Sequence, residues 1–129
     1  NAHLANGLGN LVARVMKLAE TNLKEPISPP ASAPFAKEYT DVIEAFEFNK
    51  AMDFVWEKIQ ALDRRIAEEK PFVVVRDDIE KGKTLIAELL IELYWIGRML
   101  YPFMPTANVA IKEAVKSNKM PKSLFPRLD

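Results

Sequence analysis

The fold class of this chain follows from the stretch Leu4-Ala-Asn-Gly-Leu-Gly-Asn-Leu-Val-Ala-Arg14. Apolar residues recur along it and beyond it at alternating spacings of four and three, at Leu4, Leu8, Leu11, Val15 and Leu18. That spacing places one apolar stripe along an amphipathic α-helix. The sequence therefore predicts a first helix that runs to about Leu23 and packs by its leucine face into a helical domain.

The face of this helix away from the leucines carries an unusual set of polar residues. Asn6, Asn10 and Arg14 follow one another at intervals of four, and Lys17 falls in the same sector. Asparagine is a poorer helix former than Glu or Lys, and each of the two glycines nearby costs roughly 1 kcal/mol. Two amides, a guanidinium and an accessible backbone suit hydrogen bonding to a planar, anionic ligand such as RNA. The alternative is that the glycines allow close helix packing and the asparagines are merely solvated.

The composition is that of an ordinary globular domain. The 129 residues are enough for one domain with one core, and 18 basic residues balance 18 acidic ones. Nucleic-acid-binding domains are often basic overall, so RNA binding would need a local basic face. The absence of cysteine excludes disulfides and thiolate metal sites, and it fits a cytoplasmic location. No apolar run reaches the ~18 residues of a membrane span.

Proline positions and apolar periodicity predict the next elements. The segment Pro26–Pro34 holds four prolines, so it cannot be helical and reads as a surface connection. A short second helix is expected over about Phe35–Phe46. A third begins near Phe48 and ends before Pro71, because the residue before a proline disfavours the α conformation. Its apolar stripe is Phe48, Met52, Val55, Ile59, Leu62 and Ile66.

The second half of the chain predicts two more helices. The β-branched run Phe72–Val75 is expected to be an extended or loosely helical connection. Asp77-x-x-Glu80 resembles a capping box, and it opens a fourth helix from about Asp78 to Tyr101. The inward residues of that helix are expected to be Ile79, Leu85, Ile86, Leu89, Leu90, Leu93, Ile96 and Leu100.

Thr106 is expected to cap a last helix that carries Val109, Ile111 and Val115 inward, before an irregular tail over Leu124–Leu128. The predicted fold is an all-α helical bundle of about five helices, four of them substantial, in a single domain over residues 1–129. The first helix begins without a cap, so we expect the chain to be a piece of a longer protein, with residues 1–2 the remainder of a tag.

The sequence holds no recognisable catalytic set. Its one histidine, His3, lies at the end of the first helix, and no Ser/His/Asp set, Glu-x-x-His pair or phosphate-binding loop occurs. The acidic residues of the second and third helices are most simply a solvated face. We therefore expect no catalytic residue, no metal site and no cofactor in this chain.

Four motifs in order resemble the anticodon-binding domain of methionyl-tRNA synthetases, which are class I aminoacyl-tRNA synthetases. They are Asn6-x-Leu-Gly-Asn-Leu-Val-x-Arg14; Phe48-x-Lys-Ala-Met-Asp-x-Val-Trp-Glu57 followed by Glu68-Glu-Lys-Pro-Phe72; Leu100-Tyr-Pro-Phe-Met-Pro-Thr106; and Leu124-Phe-Pro-Arg127. The resemblance implies a helical domain that binds the anticodon loop of methionine tRNA. It also implies an upstream catalytic domain, absent here, that uses ATP and is this chain's other partner.

The resemblance assigns roles to particular residues. Asn10 and Arg14 match an Asn and an Arg that contact anticodon bases, and Asn6 lies on the same face. Phe72 matches a tryptophan that stacks on a base; it keeps a π face but lacks the indole N–H. The alternative is that Phe72 is simply a core residue. Asp63 stands where the family usually has Asn, and a carboxylate there repels phosphate.

Basic residues around the third-helix end could supply a positive field toward RNA phosphates. These candidate phosphate contacts are Lys17, Arg64, Arg65, Lys70 and Arg76. The alternative is that Arg64 and Arg65 are solvated and paired with Glu68 and Glu69. Two other functions stay open at this point. One is the same module from a valyl-, isoleucyl- or leucyl-tRNA synthetase, and the other is a helical protein-interaction domain with no role in RNA binding.

Overall fold

The computed structural model describes residues 2–27, 41, 48–100 and 105–119, with the side chains of 2–6, 48 and 105–107 left aside. Five helices lie in these residues: α1 (Ala2–Asn22), α2 (Phe48–Glu69), α3 (Pro71–Asp77), α4 (Ile79–Met99) and α5 (Pro105–Ser117). No strand occurs among the described residues. The predicted all-α fold is confirmed. The predicted helix over Phe35–Phe46, most of the proline-rich connection and the tail lie outside the described residues.

Helix α4 lies at the centre of the fold, where it packs against each of the other four helices. The leucine stripe of α1 and the stripe of α2 face it, and Leu8, Val15 and Val55 are fully buried. None of the described helices is long and apolar enough to cross a membrane. The predicted inward residues of α4 are buried from the second turn onward, at Leu85, Ile86, Leu89, Leu90, Leu93 and Ile96, and so is Leu100 just after it.

The run after Pro71 is a regular α-helix, so the expected extended form is wrong, and in place of the expected loose helix the run forms a regular one. The chain turns at Lys70, and the carbonyl oxygen of Lys70 accepts from the backbone N–H groups of Val73 (2.9 Å) and Val74 (3.0 Å). Pro71 occupies the first turn of α3, where its fixed φ favours helix. Burial of Val74 and Val75 against the core overrides the weak helix propensity of β-branched residues.

Three sequence predictions about helix starts and inward faces are wrong in detail. Asp78, not Asp77, caps α4, because its carboxylate accepts from the N–H of Lys81 at 3.2 Å. Ile79 is 58% exposed, since it lies in the first turn of α4 and no described helix covers it. Val109 is 50% exposed, because it shares the solvent face of Lys112 and Lys116.

The start of α5 also differs from the prediction. The helix begins at Pro105, so Thr106 lies within its first turn rather than at the cap position. Asn118, directly after α5, links the C-terminal end of α5 to the C-terminal end of α1 by hydrogen bonds. This residue has a left-handed backbone (φ 56°), and its side-chain N–H group donates to the carbonyls of Leu23 (2.9 Å) and Ala19 (3.3 Å). One buried amide thus ties together two helix ends that lie far apart in the sequence.

Two glycines permit close helix contacts, and a third does not. A Cβ atom at Gly82 would lie 2.7 Å from the backbone nitrogen of Val75, so α3 can approach α4 only because this residue has no side chain. A Cβ at Gly7 would lie 2.6 Å from the Trp56 ring. The packing explanation for glycine in α1 therefore holds at Gly7. At Gly9 a Cβ would meet no described atom within 4 Å.

Alanine substitution should separate these cases. Gly82→Ala should lower the free energy of unfolding by about 1–3 kcal/mol or more, because backbone cannot yield as a side chain does. Gly9→Ala should raise it by roughly 0.5–1 kcal/mol through helix propensity alone. Urea unfolding followed by circular dichroism measures both, and equal effects of the two substitutions would contradict the assigned contact at Gly82.

Candidate nucleic-acid interface

A pocket of about 580 Å³ lies between α1, α3 and the end of α2. Most of the exposed surface of its wall is apolar, and three basic side chains belong to its lining. The lining residues are Arg14, Lys17, Leu18, Thr21, Asn22, Ile66, Ala67, Phe72, Val75 and Arg76. The pocket therefore combines an apolar surface for a flat ring with cations for an anionic group beside it.

Phe72 lines this pocket and is 53% exposed. The core alternative for Phe72 is therefore wrong. The ring lies in the first turn of α3, on the same side of the bundle as Arg14 and Lys17. A half-exposed aromatic ring beside cations is a suitable surface on which an unstacked base can lie.

The turn at Lys70 sets the position of Phe72. Lys70 has a left-handed backbone (φ 49°, ψ 64°), a conformation that costs a non-glycine residue roughly 1–2 kcal/mol. Its N–H donates to the carbonyl of Ile66 at 3.0 Å and ends α2, while its carbonyl begins α3. Pro71 is buried, and Val75 packs on Gly82 of α4. Contacts on both sides of the turn thus hold α3 so that Phe72 faces the pocket.

Arg14 reaches across from α1 to α2. Its Nη1 atom lies 2.5 Å from Oδ1 of Asp63, and both side chains are about half exposed (50% and 52%). The guanidinium is planar and has further N–H donors besides the one that this ion pair uses. Asp63 is therefore the partner of Arg14, the arginine that the resemblance assigns to base reading.

Apart from Arg65, the other residues predicted for the site fall into three groups. Lys17 and Arg76 line the pocket. Asn10 is exposed one turn before Arg14 on α1. Asn6 lies one turn before Asn10 in the same helix, and only its backbone is among the described parts of the structure. Arg64 and Lys70 are exposed near the α2 end but do not line the pocket, so their contact with phosphates stays a prediction.

Arg65 lies on the face of α2 that meets α4 and does not line the pocket that holds Phe72. It lines a separate groove with residues of α4, and its guanidinium contacts Glu69, Glu88 (2.8 Å) and Glu92 (3.1 Å). Hydrogen bonds to Glu88 and Glu69 raise the pKa of Arg65 above its ordinary value. The predicted pairing with Glu69 is present, and the carboxylates make Arg65 a link between α2 and α4 rather than part of the pocket.

Sequence reasoning missed Thr21 and Asn22, which also line the pocket. Thr21 lies four residues after Lys17 on the same helical face, and that spacing was the available signal. The side-chain N–H of Asn22 donates to the carbonyl of Leu18 at 2.9 Å, within its own helix. Across the described residues, no group of three His, Cys, Asp or Glu side chains is placed to hold a metal ion.

Comparison with known proteins finds similarity to methionine–tRNA ligases. The chain is 27% identical over 126 residues to the methionine–tRNA ligase of Clostridium acetobutylicum, and the match covers 87% of the chain and 20% of that protein. It is 24% identical over 163 aligned positions to that of Caldanaerobacter subterraneus subsp. tengcongensis, covering 100% of the chain and 26% of the relative. The Fusobacterium nucleatum protein is 27% identical over 133 residues, covering 92% and 21%.

The chain thus spans about a fifth to a quarter of the length of these relatives. No protein-family model matches it, and no solved structure does. The similarity covers most of this chain, so it includes α1 and α2 as well as the turn that carries Phe72.

The carboxylate contacts predict that substitution of Arg65 lowers the free energy of unfolding more than substitution of Arg64 does. Arg65→Gln should lower the free energy of unfolding by about 1 kcal/mol, because it removes one cation shared by three carboxylates. Arg64 is exposed, so Arg64→Gln should change the free energy of unfolding by about 0.5 kcal/mol or less. Thermal melts of both variants at low and high salt provide the measurement. Equal losses of stability in the two variants would show that the contacts of Arg65 with the three carboxylates add nothing specific to stability.

Proposed function

We propose that this chain, a distant homologue of methionine–tRNA ligases, is the tRNA anticodon-binding domain of such a ligase. The observation that carries the proposal is the half-exposed ring of Phe72 in a pocket lined by three basic side chains. In this proposal the domain binds the anticodon loop of methionine tRNA. A catalytic domain elsewhere in the parent protein would use ATP to attach methionine, in the cytoplasm.

The chemistry of an anticodon loop fits this pocket. Anticodon bases are single-stranded and unstacked, and proteins bind such bases by stacking them on aromatic rings and hydrogen-bonding to their edges. Phe72 offers the ring. Arg14 and Asn10 offer donors and an acceptor for a base edge, and Asn6 extends that row along α1. Each of these residues belongs to a helix, which fixes its position better than a loop would.

The phosphates of the loop would lie on the basic side of the pocket. Lys17 and Arg76 are exposed and belong to its lining, which supports them as the first phosphate contacts. Lys70 and Arg64 lie near the same end of α2 and could meet the neighbouring phosphates. Arg65 has no place in this proposal, because its guanidinium is held by carboxylates on another face. A local positive field suffices even though the whole chain is neutral.

Substitution of Phe72 tests the stacking surface. Phe72→Ala should weaken binding of a methionine anticodon stem-loop by about 1–3 kcal/mol, the usual value of one stacked base, while Phe72→Trp should keep or strengthen it. Ile79→Ala is the matched control, because it trims another exposed apolar side chain on a different helix. Fluorescence anisotropy of a labelled stem-loop measures the affinities. If the Phe72 and Ile79 variants bind alike, the pocket is not the RNA site.

Substitution of Arg14 tests base reading. Arg14→Ala should reduce the preference for a methionine over a valine anticodon stem-loop by roughly 1–3 kcal/mol, a magnitude measured for DNA bases. Stability should change by no more than about 1 kcal/mol, because the residue is half exposed. Lys116→Ala removes one charge from the exposed face of α5 and serves as control. An equal loss for both loops would make Arg14 a phosphate contact, and no binding of either loop would favour a protein-interaction domain.

A further inference from the structure

We infer that Asp63 limits the affinity of this domain for RNA by competing with the RNA for Arg14. The inference rests on the proposed function, since it needs RNA at the Phe72 pocket. It concerns a residue that the proposed site does not use for binding. Asp63 would act through Arg14, as an internal acceptor that the incoming nucleotide must displace or share.

The geometry places the carboxylate beside the pocket, in contact with one of its lining residues. Ile66 and Ala67, which line the pocket, follow Asp63 by three and four residues on α2, and residues at those spacings share a helix face. From that position Oδ1 of Asp63 contacts Nη1 of Arg14 at 2.5 Å. The lining residues themselves include no acid, so Asp63 brings a negative charge to a site whose lining charges are all positive.

This ion pair is open to exchange. Both side chains are about half exposed, and exposed ion pairs typically contribute little to stability. Buried residues of both helices, such as Leu11 of α1 and Leu62 and Ile66 of α2, belong to one apolar core cluster. The pair is therefore not needed to hold the helices together. A phosphate or a base oxygen can replace Asp63 as the acceptor for the Arg14 guanidinium without disrupting the fold.

The carboxylate has two effects on an RNA that approaches. It already accepts a charge-assisted hydrogen bond from Arg14, and an RNA contact with the same guanidinium must replace or weaken that bond. It also lies within a Debye length of any phosphate that contacts Arg14, so its charge offsets one of the cations. Both effects weaken binding, and the second also reduces the number of counterions that binding releases.

Asp63→Asn is the decisive variant, because it removes the charge while keeping the shape and one acceptor oxygen. We expect it to tighten binding of a methionine anticodon stem-loop by about two- to fivefold. We also expect the plot of log affinity against log salt to steepen by about 0.7, the value for one additional effective charge on a single strand. Asp63→Ala should change both quantities in the same direction.

Two controls separate this competition from a general charge effect. Asp53→Asn makes the same chemical change at an exposed position of α2 ten residues away, on another side of the helix, and should leave affinity nearly unchanged. In an Arg14→Ala background, Asp63→Asn should lose most of its effect, because the two residues form one coupled pair. Thermal melts should show little change for the Asp63 variants.

The outcomes distinguish this inference from the proposed function. If Asp63→Asn weakens binding or leaves it unchanged while Phe72→Ala still reduces it, the inference is overturned and the proposed site stands. An equal effect of Asp63→Asn with and without Arg14, or an equal effect of Asp53→Asn, also overturns it. If the wild-type chain does not bind the stem-loop, or if binding is insensitive to Phe72, the proposed function fails and the inference fails with it.

Discussion

The close approach of α3 to α4 at Gly82 is the contact on which the pocket depends. Because Gly82 has no Cβ, Val75 lies directly against the α4 backbone. That contact holds the two-turn helix α3 on the core, although a helix of seven residues would not be stable alone. Lys70 adopts a left-handed backbone that usually favours glycine. The packed helices on both sides hold the turn in this conformation, so a lysine is accommodated there. Phe72 is left facing outward as a result.

The positions of individual charges, and not the net charge of the chain, determine the electrostatic field at the pocket. The chain is neutral, and two of its arginines, Arg14 and Arg65, are already partnered by carboxylates. Arg65 links α2 to α4, whereas Arg14 lines the pocket and pairs with Asp63 beside it. An anionic ligand therefore encounters Lys17, Arg76 and a partly neutralised Arg14. Net charge counts all of these groups equally, so it says little about the field at one pocket.

The sequence predicted much of the fold because its helices have long, regular apolar stripes. The extent of α1, the start of α2 and the inward residues of α4 from Leu85 onward follow from spacings of three and four, and Pro71 marks the end of α2. Its errors fell where local patterns are short. The run after Pro71 looked like a connection, Val109 looked like a core residue, and the cap of α4 was placed one residue early. The first two outcomes depend on which neighbour covers a side chain, and the third depends on which carboxylate accepts from the Lys81 N–H. Periodicity carries neither kind of information.

Spacing along the chain was enough to place Asn10, Arg14 and Lys17 on the polar face of one helix, because it fixes the angle between residues of the same element. Phe72 became a candidate aromatic through the resemblance to methionyl-tRNA synthetases and not through spacing. The packed fold was needed to establish that Phe72 is exposed beside Arg14, that Arg65 faces elsewhere, and that Asp63 holds the arginine. Those facts concern distances between different helices. Such distances are set by how the helices pack, here by a missing side chain at Gly82 and a buried proline at the α2 end, and not by periodicity within one helix.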